Sequence, residues 1–292
     1  MNQKKVKLLF NSKDILGESP IWVEEHNSLY WIDIKRKLIH KYNIRNKQKK
    51  TWCFNQTITC IAHIKKNLFI IGSKNGLKIV NLINKKITNI FNPEKNLPNN
   101  RLNDGKCDNK GRFFVGSMNE INNKKTGSLY LLDNDLKCKK IIGGFIISNG
   151  PTFSPDYKKI YFSETRLGKI YVANLNSDGS ISNKKLFIKI PISEGKPDGM
   201  TTDNKGNIFV AIIYGSKINK YNKNGKKIDT IKLPISCPTS CVFGGKKFDI
   251  LFITSASHKL SNKQKMIEPL WGSVLKIKLK TNGLKTNKFI RT

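Results

Sequence analysis

The sequence predicts an all-β protein, a six-bladed β-propeller, and three observations carry that expectation. A strand-rich unit recurs six times, its marker residues Leu29, Leu68, Phe113, Ile160, Ile208 and Ile250 lying 39, 45, 47, 48 and 42 residues apart. Propeller blades of four strands have periods of about 40–50 residues. Within each unit apolar and polar residues alternate with period 2, as half-buried strands require, and helical repeats of similar length lack that pattern. The six units also nearly exhaust the 292 residues, so residues 1–292 are read as one domain.

Taken in order, the units are "NSLYWIDIKRKLIHKYN" (27–43), "KNLFIIGSKNGLKIVNL" (66–82) and "GRFFVGSM" with "GSLYLLD" (111–133). They continue with "KKIYFSETRLGKIYVANL" (158–175), "GNIFVAIIYGSKINKYN" (206–222) and "FDILFITSA" with "GSVLKIKLK" (248–280). A ring leaves no open sheet edge only if its ends meet. The N-terminal "KKVKLLF" is therefore expected to complete the last blade, beside "KFIRT" or "VLKIKLK". A longer insertion, 255–272, interrupts the sixth unit. Ser261 and Gln264 stand in capping-box spacing there, which predicts a short helix, placed either as a lid over one mouth or as a surface loop.

Composition narrows the function. The net charge of +34 invites a nucleic-acid reading, but only six of the 54 basic residues are Arg, and the Lys are spread through every turn. Bidentate recognition of bases relies on Arg, so no nucleic-acid partner is expected. No apolar run approaches the roughly 20 residues that span a bilayer, and "MNQKKVKLLFNSKD" lacks a secretory apolar segment. A cytoplasmic location without a membrane partner is the expectation. The six cysteines show no zinc-like pairing and are read as reduced. His26, His40, His63 and His258 are scattered and are read as surface or packing residues.

The chemistry emerges from counting back from the markers. Glu18, Asn103, Asn149 and Asp198 precede their markers by 11, 10, 11 and 10 residues, at the start of the strand that leads inward. Asp198 stands in "KPDG", which alone would read as a turn. Equivalent positions in a ring of blades face one axis, so two carboxylates and two amides are expected at one end of the channel. Two carboxylates about 4 Å apart repel by about 4 kcal/mol at an effective dielectric of 20. A shared proton or a cation must offset this, and oxygen ligands without His or Cys favour a hard divalent ion. No GxSxG, HExxH or Walker motif offers another chemistry.

Five collinear stretches, "LGESPIWVEEHNSLYWIDI", "RLNDGKCDNKGRFFVGSM", "SNGPTFSPDYKKIYFSET", "KPDGMTTDNKGNIFVA" and "PTSCVFGGKKFDILFITSA", resemble the gluconolactonase, regucalcin (senescence marker protein) and luciferin-regenerating family. The resemblance covers the chain from about Leu16 to Trp271. It implies a six-bladed propeller that hydrolyses sugar-acid lactones with one divalent metal ion, Ca²⁺, Zn²⁺, Mg²⁺, Mn²⁺ or Fe²⁺. It places metal ligands at Glu18, Asn149 and Asp198, and substrate contacts at Arg101 and Asn103. Asp198 is expected to double as the catalytic base. Animal members carry a further substrate-binding carboxylate after a "GTM" motif; here "GSMNEINN" offers Glu120, with Ile121 at the matching offset. "IIYGSK" near Tyr214 departs from the bacterial "LWGG". The expected partner is a small sugar lactone, and the expected state a monomer or weak homodimer. The alternatives are a metal-holding propeller without turnover and a hydrolase of other esters.

Overall fold

The computed structural model describes residues 5–291, so Lys4 of the N-terminal strand motif and Thr292 of "KFIRT" lie outside the described residues. Six four-stranded antiparallel sheets make up the fold, a six-bladed β-propeller. The first strand of each blade is Gly17–Val23, Ile58–Lys65, Asn100–Cys107, Ser148–Phe153, Lys196–Thr202 or Pro238–Gly244. Each of these lies against the first strands of both neighbouring blades, so together they form the closed inner ring. All six marker residues sit on the second strands, near the turn that follows the inner strand.

Alternation along the strands determines where the core lies. Side chains on the two sheet faces pack between adjacent blades, giving six inter-blade clusters rather than one central core. Ile32 and Ile39 of the first blade, for example, join Phe69 and Ile71 of the second. The turns after the inner strands repeat their chemistry. Asp108 Oδ1 accepts from the Lys110 and Arg112 amides at 3.0 and 2.9 Å, and Asp203 Oδ1 accepts from Lys205 and Asn207 at 3.0 and 2.8 Å. An aspartate that bonds the backbone two residues on is a turn device.

The N-terminal strand Lys7–Phe10 pairs antiparallel with Val274–Lys278 as the outermost strand of the sixth blade. Of the two neighbours expected from the sequence, "VLKIKLK" is therefore the partner. "KFIRT" is not, because the tail has another task. It crosses the mouth of the ring opposite the carboxylates: the Gly283 amide donates to the Phe248 carbonyl, Leu284 to Thr202, Phe289 to His63 and Ile290 to Gly111, at 2.8–3.1 Å. Phe289 is buried within the cluster between the second and third blades. All six cysteines are unpaired. Among the described residues no helix is long and apolar enough to cross a membrane.

A feature of every inner strand was not anticipated from sequence. Each carries one extra residue relative to its neighbour at its cavity end, at Glu18–Ile21, Ile58–Cys60, Leu102–Gly105, Asn149–Thr152, Pro197–Met200 and Pro238–Ser240. Such bulges bend a strand and re-aim a side chain. Gly199 follows Asp198 within one of them. A Cβ there would lie 2.1 Å from Ser240 Oγ and 2.9 Å from Ser240 Cα on the adjacent inner strand. The glycine of "KPDG" is thus required by close packing between blades, not by a turn. We expect Gly199→Ala to destabilise the fold by about 1–3 kcal/mol, the usual cost of overpacking. Equilibrium urea unfolding measures this, and an unchanged midpoint refutes it.

Candidate active site

The bulges deliver the residues of interest to one place. Glu18, Arg101, Asn103, Asn149 and Asp198 all line a cavity of about 300 Å³ at one end of the central channel. That size suits a small-molecule ligand. Glu18, Arg101, Asn103, Asn149 and Asp198 are each at most 8% exposed, so their polar groups must find partners inside the protein or in a ligand.

A directional chain of hydrogen bonds links three blades. Arg101 Nη1 donates to Asn103 Oδ1 at 2.7 Å; Asn103 Nδ2 donates to Asn149 Oδ1 at 3.0 Å; Asn149 Nδ2 donates to Asp198 Oδ1. Its polarity follows from chemistry. A guanidinium can only donate, so Asn103 must turn its carbonyl towards Arg101 and its NH₂ onward. Side bonds lock both amides, from Asn103 Nδ2 to the Ser148 carbonyl at 2.9 Å and from Asn149 Nδ2 to Thr165 Oγ1 at 3.2 Å.

The carboxylates are in an unfavourable setting. Burial raises Glu18 well above its ordinary pKa, and the charges of Asp198 and Asp104 raise it further. Burial and Asp104 do the same to Asp198, against the opposing pull of Arg101. Asp104 is absent from the cavity wall. It is buried behind the wall, accepts from the Gly105 amide at 2.8 Å, and is pushed up by burial to about 6. Lys106, half-buried, donates to the Met200 carbonyl at 2.8 Å on the far side.

Does this set fit a divalent cation? Two buried carboxylates whose ionised forms are penalised, next to an amide and without His or Cys, are the chemistry of a hard-ion site. The Asn149 NH₂ group directed at Asp198 supplies the positive end of a dipole where a cation would supply full charge. Glu18, Asn149 and Asp198 therefore fit, with the Asn149 carbonyl oxygen, rather than its NH₂, as the group an ion would need.

Glu120 lies at the cavity rim, where it accepts from Arg101 Nε at 3.1 Å and pairs with Lys74 at 3.4 Å. Ile121 lines the same rim but is 72% exposed. The sequence reading missed the basic residues around the mouth, Lys35, Arg166, Lys196 and Lys259, and took His258 for a surface or packing residue although it lines the cavity, as does Tyr214 of the singled-out "IIYGSK". Their signal was present in the net charge, but only folding gathers them. The capping box of Ser261 and Gln264 opens the helix Asn262–Ile267. Of the whole insertion only His258 and Lys259 reach the cavity wall, and the helix leaves Met266 and Ile267 exposed.

Comparison with known proteins agrees with this architecture. Residues 16–257 match the family model for the SMP-30/Gluconolactonase/LRE-like region. Regucalcin of Xenopus laevis is 30% identical over 284 residues, 95% of each chain. The solved structure of a luciferin-regenerating enzyme is 30% identical, covers 99% of both chains and superposes with a TM-score of 0.91. A calcium-binding regucalcin from Agrobacterium tumefaciens shares the fold with a TM-score of 0.94 at 23% identity over 98% of both chains. With its repeat, its ring of bulged inner strands and a family match over most of its length, the chain belongs to the SMP-30/gluconolactonase/LRE-like family.

Proposed function

We propose that the chain is a metal-dependent lactonase that opens small sugar-acid lactones. The observation that carries this reading is the convergence of Glu18, Asn149 and Asp198 with the Arg101–Asn103 pair in one small-molecule cavity. Membership of a family that includes gluconolactonases, and the regucalcin likeness, support it.

Glu18, Asn149 and Asp198 would hold one divalent ion, which when bound supplies Lewis-acid polarisation of the lactone carbonyl. The chain's own residues do the rest. Arg101 and Asn103 hold the substrate's hydroxyl and ring oxygens, with Glu120 positioning Arg101 through its ion pair. The Asp198 carboxylate takes a proton from the attacking water as its oxygen adds to the carbonyl carbon. It returns that proton to the ring oxygen as the acyl C–O bond breaks, and the product is an open-chain hydroxy acid. The basic rim favours substrates and products that carry negative charge.

The test is pH-stat hydrolysis of glucono-, galactono-, arabino- and xylono-lactones, after chelation and with Ca²⁺, Zn²⁺, Mg²⁺, Mn²⁺ or Fe²⁺ restored. Metal-restored turnover well above the spontaneous rate is expected. Absence of turnover with every lactone and metal, from folded protein that binds the ion, would replace the lactonase with a metal-binding propeller or a hydrolase of other esters.

Arg101 offers a sharper check. Arg101→Lys keeps the charge but loses the planar fork that spans Asn103, the Leu102 carbonyl and Glu120. We expect kcat/KM to fall by about 10–100-fold. A variant as active as the parent would remove Arg101 from substrate positioning.

A further inference from the structure

The opposite face of the ring carries a second group of ligand-type side chains. Glu25 and His26 lie in the 3₁₀ turn Glu24–His26 that ends the first inner strand, and His63 lies near the end of the neighbouring inner strand. One ligand atom from each of the three falls within 4.8 Å of the others. Glu25 Oε1 stands 3.4 Å from His63 Nε2, and the two imidazoles meet edge to face with centroids 5.2 Å apart. These are residues from the first and second blades, whereas Glu18, Asn149 and Asp198 line the cavity at the other end.

Three observations point to a cation. Each ring has one nitrogen tied to an oxygen: His26 Nδ1 meets the Tyr30 hydroxyl at 2.8 Å, and His63 Nε2 meets the Lys66 carbonyl at 3.0 Å. Tethering of one nitrogen by an oxygen, with the other left over, is how metal-binding imidazoles are usually oriented. His63 is 2% exposed and its Nδ1 is buried without a partner, whereas the Nε2 that faces Glu25 is the nitrogen bonded to the Lys66 carbonyl, so ligation requires either a turn of the ring or release of that bond. Lastly, a cation already stands beside the group, since the Lys288 ammonium, carried in by the C-terminal tail, forms a half-exposed ion pair with Glu25. Burial lowers both histidines, His26 to about 4, which keeps them neutral and ligating near pH 7.

We propose that Glu25, His26 and His63 form a second metal site, fitted to an imidazole-preferring first-row ion such as Zn²⁺, and that Lys288 fills it when the metal is absent. Two imidazoles and one carboxylate, with water completing the shell, are a zinc-type donor set. Zinc–nitrogen bonds of about 2.0–2.1 Å draw the ligand atoms closer together than they stand now. Glu25, 39% exposed at its side chain, has the freedom to close that gap once Lys288 swings away. The preference differs from that of the all-oxygen donor set Glu18, Asn149 and Asp198, so the two sites are chemically distinct. The same displacement frees Lys288 from Glu25, leaving Phe289 and the backbone bonds to hold the tail.

The experiment uses the full chain carrying Asp198→Asn, which disables the central carboxylate set, and measures Zn²⁺ by competition with a chromophoric chelator and Co²⁺ by its visible spectrum. One tightly bound Zn²⁺ per chain is expected, with a Co²⁺ band typical of nitrogen ligation. In that background His26→Gln and Glu25→Gln should each weaken binding by about tenfold or more, and Lys288→Ala should tighten it by removing the competing ammonium. A purely structural role for Lys288 would not tighten binding. With Asp198 restored, His26→Gln should leave lactone hydrolysis intact, so loss of this site and loss of the lactonase are separable. No Zn²⁺ bound by the folded Asp198→Asn chain, or binding indifferent to both His26→Gln and Lys288→Ala, would overturn the proposal.

Discussion

Asp198→Asn is expected to leave the propeller folded and to lower metal-restored lactone hydrolysis by more than about 10³-fold, since a positioned base alone is worth about 10²–10⁴. The change keeps the shape of the side chain. It also relieves a buried carboxylate that burial and Asp104 already disfavour, so the metal-free variant should be at least as stable as the parent. What it removes is the negative charge, and with it both the proton acceptor and one oxygen donor for the ion. Thermal unfolding beside kcat separates these effects. Activity within about tenfold of the parent would refute the role of Asp198, whereas loss of activity with loss of fold would leave Glu18→Gln as the variant to read.

The second large effect concerns the metal-free protein and pH. Glu18, Asp104 and Asp198 all have folded pKa values above their unfolded ones, Asp104 reaching about 6. A carboxyl raised on folding binds its proton more tightly in the folded state. Its contribution is therefore favourable below the unfolded pKa and is lost as pH rises through the folded one. For Asp104 that window runs from about pH 4 to about pH 6. A bound divalent ion reverses the sign by favouring the ionised carboxylates. The rise in Tm on adding metal should accordingly be larger at pH 7.5 than at pH 5. At a concentration about 100 times Kd the ion adds about 2.7 kcal/mol, or several degrees for a chain of this size. Comparing each pH with and without Ca²⁺ or Mg²⁺, hard ions that do not favour the imidazoles of His26 and His63, cancels His26 and His258, which titrate in the opposite sense because burial lowers them to about 4. A metal-induced shift equal at both pH values would show that Glu18 and Asp198 do not hold the ion.

How much of this was legible in the sequence is clearest at Asp198. Its offset from Ile208 matched those of Glu18, Asn103 and Asn149 from their own markers to within one residue, and that register survives folding because the second strands pair in phase with the inner ones. The bulges were not legible. A two-against-one mismatch is a property of the paired strand, and the small residues that accompany it, such as Ser19, Gly150 and Gly199, read equally well as turns. The histidines make the same point from the other side. His26 and His63 are 37 positions apart and look like isolated packing residues, yet they touch edge to face.

The sequence by itself determined the repeat, the number of blades, the strand alternation and the axial register of the carboxylates and amides. All of these are written as periodicities, and side-chain direction in a strand follows directly from period. Tertiary structure alone decided which tail closes the last blade, the polarity of the Arg101–Asn103–Asn149–Asp198 chain, the basic rim of the cavity and the meeting of Glu25, His26 and His63. Apart from the local Arg101–Asn103 link, each of these depends on contacts between residues separated by tens to hundreds of positions. Only closure of the ring brings them within hydrogen-bonding range.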